Sequence, residues 1–108
     1  MAKLERRLKG NFDIILNDIG NGILNGSISA TLEDSSDFRE GNSRCSVRIF
    51  ERYSYLGGNR VSLSVTLFQQ GDGDIRLSAI TSGGSQAVFW KINTLGEEAF
   101  LKKLEEIL

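Results

Sequence analysis

From Ser27 onward the apolar residues of this chain recur every second position, segment after segment, and that period admits little except a β-sheet. Ile28, Ala30 and Leu32 alternate with Ser27, Ser29 and Thr31, and Cys45, Val47 and Ile49 alternate with Arg44, Ser46 and Arg48. Val61, Leu63, Val65 and Leu67 alternate with Arg60, Ser62, Ser64 and Thr66; Ile75, Leu77 and Ala79 alternate with Arg76 and Ser78. Residues two apart share a face, so each segment has one apolar and one polar side, the pattern of an antiparallel sheet packed on one face and wet on the other. Gly57-Gly58-Asn59 and Gly71-Asp72-Gly73-Asp74 supply hairpin turns, and Ser82-Gly83-Gly84-Ser85 breaks the chain before a last apolar strand from Ala87 to Ile92.

Two helices flank this run. Leu4 to Leu8 alternates apolar and charged residues as a short edge strand, and Gly10 ends it. Asn11 then caps a helix whose Phe12, Ile15, Leu16, Ile19 and Ile23 form one stripe of period 3.6. Gly20 and Gly22 predict either an end near Ile19 or a close backbone approach, and Asn25-Gly26 stops the helix in either case. Thr94-Leu95-Gly96-Glu97 reads as a capping box ahead of a terminal helix with Phe100, Leu101, Leu104, Ile107 and Leu108 on its apolar stripe. Both helices solve their burial problem on the apolar face of the sheet. The expectation is one two-layer α+β domain over residues 1–108, an antiparallel sheet of five to six strands with two helices on one face, in the order β-α-β-β-β-β-β-α.

Composition narrows the chemistry. The 108 residues include no histidine, no proline and one cysteine, with Lys+Arg 13 against Asp+Glu 14. Ser-His and Cys-His catalysis are therefore out of reach, as are an intramolecular disulfide and a cysteine-based metal site, and no cofactor is expected. A formal charge of −1 disfavours nucleic acid as a partner held by overall charge. The opening residues MAKLERRLKG carry charges where a signal peptide needs an apolar run, and no apolar stretch approaches a membrane span, which predicts a cytoplasmic location.

Several local features invite a functional reading. Glu33, Asp34, Asp37 and Glu40 cluster between two expected strands; they have the oxygen chemistry of a hard-cation site but read as a solvated loop. Ser82-Gly83-Gly84-Ser85 reads as a tight turn, or as a backbone nest for an anion. Tyr53, Tyr55 and Trp90 read as rim residues of a core, or as the lining of a cleft between sheet and terminal helix. The wet face carries the most. In the stated phase Arg44, Arg48, Arg60 and Arg76 project from it among Ser62, Ser64 and Thr66, with Phe50 and Phe68 interleaved. Glu51 falls in phase with Cys45, Val47 and Ile49, which predicts a bulge near Phe50 that returns Phe50 and Arg52 to the inner face.

The stretches Ile23-Leu24-Asn25-Gly26-Ser27, Gly58-Asn59-Arg60-Val61-Ser62-Leu63 and the run from Arg76 through Gln86 to Leu101 resemble a small bacterial family of domains of unknown function. The element order also resembles a shortened helix-grip fold, in which a curved sheet wraps a C-terminal helix and often encloses an apolar ligand. The family resemblance implies no catalytic residue. These readings converge on a non-enzymatic interaction domain that forms a homodimer or binds another protein through the wet sheet face. The alternative is a carrier of a small apolar ligand.

Overall fold

The computed structural model describes residues 2–26, 29–54, 59–83, 104, 107 and 108. Strand β1 (Lys3–Leu8) leads into helix α1 (Phe12–Gly26), and four strands follow: β2 (Thr31–Glu40), β3 (Ser43–Ser54), β4 (Asn59–Gln70) and β5 (Ile75–Gly83). The last four form an antiparallel meander, and β1 pairs antiparallel with β5, so the sheet order is β1-β5-β4-β3-β2. The class is α+β with a five-stranded antiparallel sheet.

Helix α1 starts where Asn11 can cap it. The Ile14 amide donates to Asn11 Oδ1 at 3.0 Å and the Ile15 amide to the Asn11 carbonyl at 3.0 Å, which satisfies amides at the exposed start of the helix. The helix passes both internal glycines. At Gly22 an added Cβ would lie 2.5 Å from Ile107 Cδ1, so the close approach that this glycine permits is made by a residue near the C-terminus and not by the sheet.

Phe12, Leu16, Ile19 and Ile23 pack with Leu4 of β1, Val61, Leu63, Val65 and Leu67 of β4, and Ile75, Leu77 and Ala79 of β5 in one core, completed by Phe50 and Leu104. The face these residues line is called inner here. Among the described residues α1 is the one helix with a continuous range; Leu104 and Ile107 are helical, but a second full helix of the expected two-helix layer is not borne out. The terminal helix from Thr94, the strand from Ala87 to Ile92, and Gly84, Ser85, Tyr55 and Trp90 fall outside the described residues, apart from Leu104, Ile107 and Leu108 at the end of the chain. No described helix is long and apolar enough to cross a membrane.

Two expectations near β2 need correction. The strand expected at Ile28–Leu32 begins instead at Thr31 and runs to Glu40, so Glu33, Asp34, Asp37 and Glu40 belong to an edge strand and not to a loop. All ten residues of β2 are exposed, and its charges and a register shift between Leu32 and Asp34 suit an edge that must not recruit another strand. The turn into β3 is Gly41-Asn42, with Gly41 at φ 60°, a conformation that L-residues avoid. Ser82 and Gly83, read as a turn, are the last residues of β5, opposite Ser62 and Val61 of β4.

Candidate interaction surface

Strand register fixes which side chains share a face. In β4, Val61, Leu63, Val65 and Leu67 are buried on the inner face, and Ser62, Ser64, Thr66 and Phe68 alternate onto the outer one. Strand β3 pairs with β4 in unbroken register from Ser43↔Gln70 to Ser54↔Asn59. Arg48 therefore lies opposite Val65, Arg44 opposite Gln69 and Phe50 opposite Leu63, all on the inner face. Cys45, Val47, Ile49 and Glu51 lie opposite Phe68, Thr66, Ser64 and Ser62 on the outer face.

The whole of β3 is thus inverted relative to the expectation. Arg44 and Arg48 leave the outer face, whereas Arg60, Arg76, Ser62, Ser64 and Thr66 remain there. Phe50 and Arg52 are on the inner face as the bulge argument required, but there is no bulge in β3; the apolar phase simply points outward along its length. In this phase Phe50 is 1% exposed in the core, and the polar residues that share its face, Arg44, Ser46 and Arg48, have hydrogen-bond partners in Asp13 and Asp37.

The inward arginines Arg44 and Arg48 find partners on α1 and β2. Arg44 donates to Asp13 of α1 through Nη2 at 2.8 Å and Nη1 at 3.3 Å, and its Cζ stands 3.9 Å from the centroid of the Phe12 ring. Arg48 Nη1 donates to Asp37 Oδ1 at 3.0 Å, and the buried Ser46 hydroxyl donates to the same oxygen at 2.6 Å. These bonds tie β3 to α1 and to β2. The Ser46 hydroxyl first, and then Arg48, hold the Asp37 carboxyl below the ordinary aspartate range. The Arg44 hydrogen bond does the same for Asp13.

A depressed folded pKa contributes stability above the unfolded value of about 3.9, and that stability is lost as pH falls through the folded pKa. Thermal melts should therefore show Asp37→Asn with a shallower loss of Tm than wild type on acidification from about pH 4 downward, and a parallel profile between about pH 5 and 7. Equal acid slopes in the two proteins would rule out this role for Asp37.

The outer face is more apolar than the expected one. Phe38, Phe68, Ile80 and Tyr53 are exposed there, and Cys45, Val47 and Ile49 lie between them; burial pushes the Cys45 thiol up. Arg60 Nε donates to Glu51 at 2.9 Å, and the Ser62 hydroxyl lies 3.4 Å from the same carboxylate. Around Arg7, Arg76, Phe68, Thr66, Ser78 and Glu5 the face dips into an open hollow of about 420 Å³. Tyr53, expected at a cleft under a terminal helix, stands on this outer face opposite Arg60. The acidic residues of β2 do not converge, because Asp37 faces inward while Asp34 and Glu40 face outward; among the described residues no three potential metal ligands come together.

A family model matches residues 1–108, the full length. The chain belongs to the family of unknown function DUF6054. No curated protein matches. Among solved structures, TTHA0849 from Thermus thermophilus is similar over 98% of this chain and 94% of its own, at 14% identity and a TM-score of 0.30.

Sequence reasoning missed Phe38 and the outward Cys45-Val47-Ile49 row. One signal was present: Phe50 and Glu51 break the apolar phase of β3 together, which fits a strand with its inner side at positions 44 to 52 as well as it fits a bulge.

Proposed function

We propose that this DUF6054 domain is a non-enzymatic interaction module that associates with a second copy of itself through the outer face of its sheet. The observation that carries the reading is the inversion of β3, which turns Cys45, Val47 and Ile49 outward between the exposed Phe38, Phe68 and Ile80. Exposed aromatic and aliphatic residues on one contiguous face mark association surfaces. The same inversion removes Arg44 and Arg48 from that face and engages them with Asp13 and Asp37, which weakens the case for a polyanion partner. A sheet of five strands about 4.8 Å apart and six residues long, at about 3.3 Å per residue, offers about 480 Å² per copy. Two such faces bury about 1,000 Å², the lower bound for a specific but weak dimer.

The carrier alternative has less support. The hollow bordered by Leu8, Ile15, Ile19 and Ile107 measures about 180 Å³, below the ~300 Å³ at which ligand pockets begin. The helix between the first two strands and the β1-β5-β4-β3-β2 order favour a shortened helix-grip arrangement.

Sedimentation of the wild type at tens of micromolar should report a dimer. Val47→Glu combined with Thr66→Glu places two carboxylates opposite each other at the centre of the outer face. It should yield a monomer with an unchanged far-UV spectrum, because four buried charges cannot be matched across a twofold interface. A wild type that stays monomeric, or a dimer indifferent to this pair of substitutions, would remove the reading.

A further inference from the structure

The outer face is electrically lopsided. On its β1 and β5 side it carries Lys3, Arg7 and Arg76 with Glu5; on its β2 and β3 side it carries Asp34, Glu40 and Glu51 with no Lys or Arg in outward register. The residues also lie in rows across the sheet. One row reads Lys3, Ile80, Ser64, Ile49, Asp34, and another reads Arg7, Arg76, Phe68, Cys45, Phe38. Both of these rows are basic at the β1 end, and at the β2 end the first is acidic and the second aromatic; the row between them reads Glu5, Ser78, Thr66, Val47, Ser36 and is acidic at the β1 end.

Resting on the proposed self-association, we infer that the two copies are related by a twofold axis parallel to the strands and centred on β4. Such an axis turns one sheet over onto the other and keeps each row level with its own copy. Strand β4 then faces β4, β5 faces β3 of the second copy, and β1 faces β2 of the second copy. Lys3 meets Asp34 of the second copy, Ile80 meets Ile49, and Phe68 meets Phe68 at the axis.

Phe38 of the second copy, 58% exposed in one copy alone, enters the hollow beside Arg7 and Arg76, whose guanidinium groups suit the face of an aromatic ring. Aligned sheets pack about 10 Å apart and about 30° askew, which moves the outermost strands by about one residue, a distance that Lys and Arg side chains span. The competing twofold, perpendicular to the strands, lays β1 on β1 and brings the basic side against itself, a like-charge juxtaposition that specific interfaces avoid.

Charge reversal separates the two axes. Lys3 and Asp34 are exposed and bond close by in the chain, Lys3 to Glu5 at 3.3 Å and Asp34 to the Ser35 amide at 2.8 Å, so both accept substitution without loss of the fold. At low ionic strength, Lys3→Glu alone and Asp34→Lys alone should each weaken the dimer about tenfold, because twofold symmetry repeats each repulsion. The double variant, which restores opposite charges across the interface, should return to within about threefold of wild type in sedimentation equilibrium. A dimer that Val47→Glu/Thr66→Glu dissociates, but that Lys3→Glu leaves alone or tightens, or that the double variant does not rescue, overturns the axis and leaves the face standing. A monomeric wild type overturns both.

Discussion

Phe50→Ala will destabilise the fold by about 3–5 kcal/mol, while Ile49→Ala, one residue away on the same strand, will cost no more than about 1 kcal/mol. Phe50 is 1% exposed and lies opposite Leu63 at the inner face, where loss of the ring leaves a cavity that the surrounding strands cannot close. Ile49 lies opposite Ser64 on the outer face, so its truncation removes apolar area that water already reaches in part. Domains of this size are stable by roughly 5–15 kcal/mol, so the first substitution removes a large share of the total and the second little. Urea melts, run at a protein concentration where the wild type is monomeric, measure both values. Equal costs, or the larger cost at Ile49, would mean that β3 has the phase its apolar alternation suggests and would withdraw the outer face described above.

At the end of β5, Gly83→Ala will cost about 2–3 kcal/mol, far more than alanine normally costs a strand. Gly83 has φ 134°, a conformation almost restricted to glycine, and holding another residue there costs of the order of 1–3 kcal/mol. An added Cβ would also stand 2.6 Å from the Arg60 carbonyl oxygen and 3.1 Å from Val61 Cα, both of them backbone atoms of the paired strand that cannot swing aside. The β4–β5 ladder must part locally. Gly41→Ala is the control: φ there is 60°, but nothing lies within 4 Å of the added atom, so backbone strain of about 1–2 kcal/mol acts alone. Hydrogen exchange should show faster amides around Val61 and Ser82 in Gly83→Ala and not in Gly41→Ala. Equal melting points and equal exchange in the two variants would show that the close approach at Gly83 has no energetic weight.

If these substitutions behave as expected, the outer face follows from the same geometry. It is apolar because β3 pairs with β4 in the register that puts Phe50 on the inner face and Cys45, Val47 and Ile49 on the other side.

Much of this was legible in the residues themselves. Period two in β3, β4 and β5 follows from the pleat, which sends successive side chains to opposite faces. The cap at Asn11 and the stripe from Phe12 to Ile23 follow from the unsatisfied amides and the 3.6-residue turn of a helix. The turn at residues 71–74 and the edge position of the charged first strand were likewise local chemistry. Which face of β3 meets the core was not, because alternation fixes that two phases exist and leaves their assignment to whatever the strand pairs with and to the helix above it. There Phe50 takes a core position, and Asp13 and Asp37 make two inward arginines tolerable. The strand at Thr31–Glu40 was hidden for a related reason: as an exposed edge it has no buried side to impose a pattern, and only its hydrogen bonds to β3 make it a strand. Local periodicity is carried by the chain alone, whereas facing, register and edge pairing are properties of two segments together, and only the folded structure brings those segments into contact.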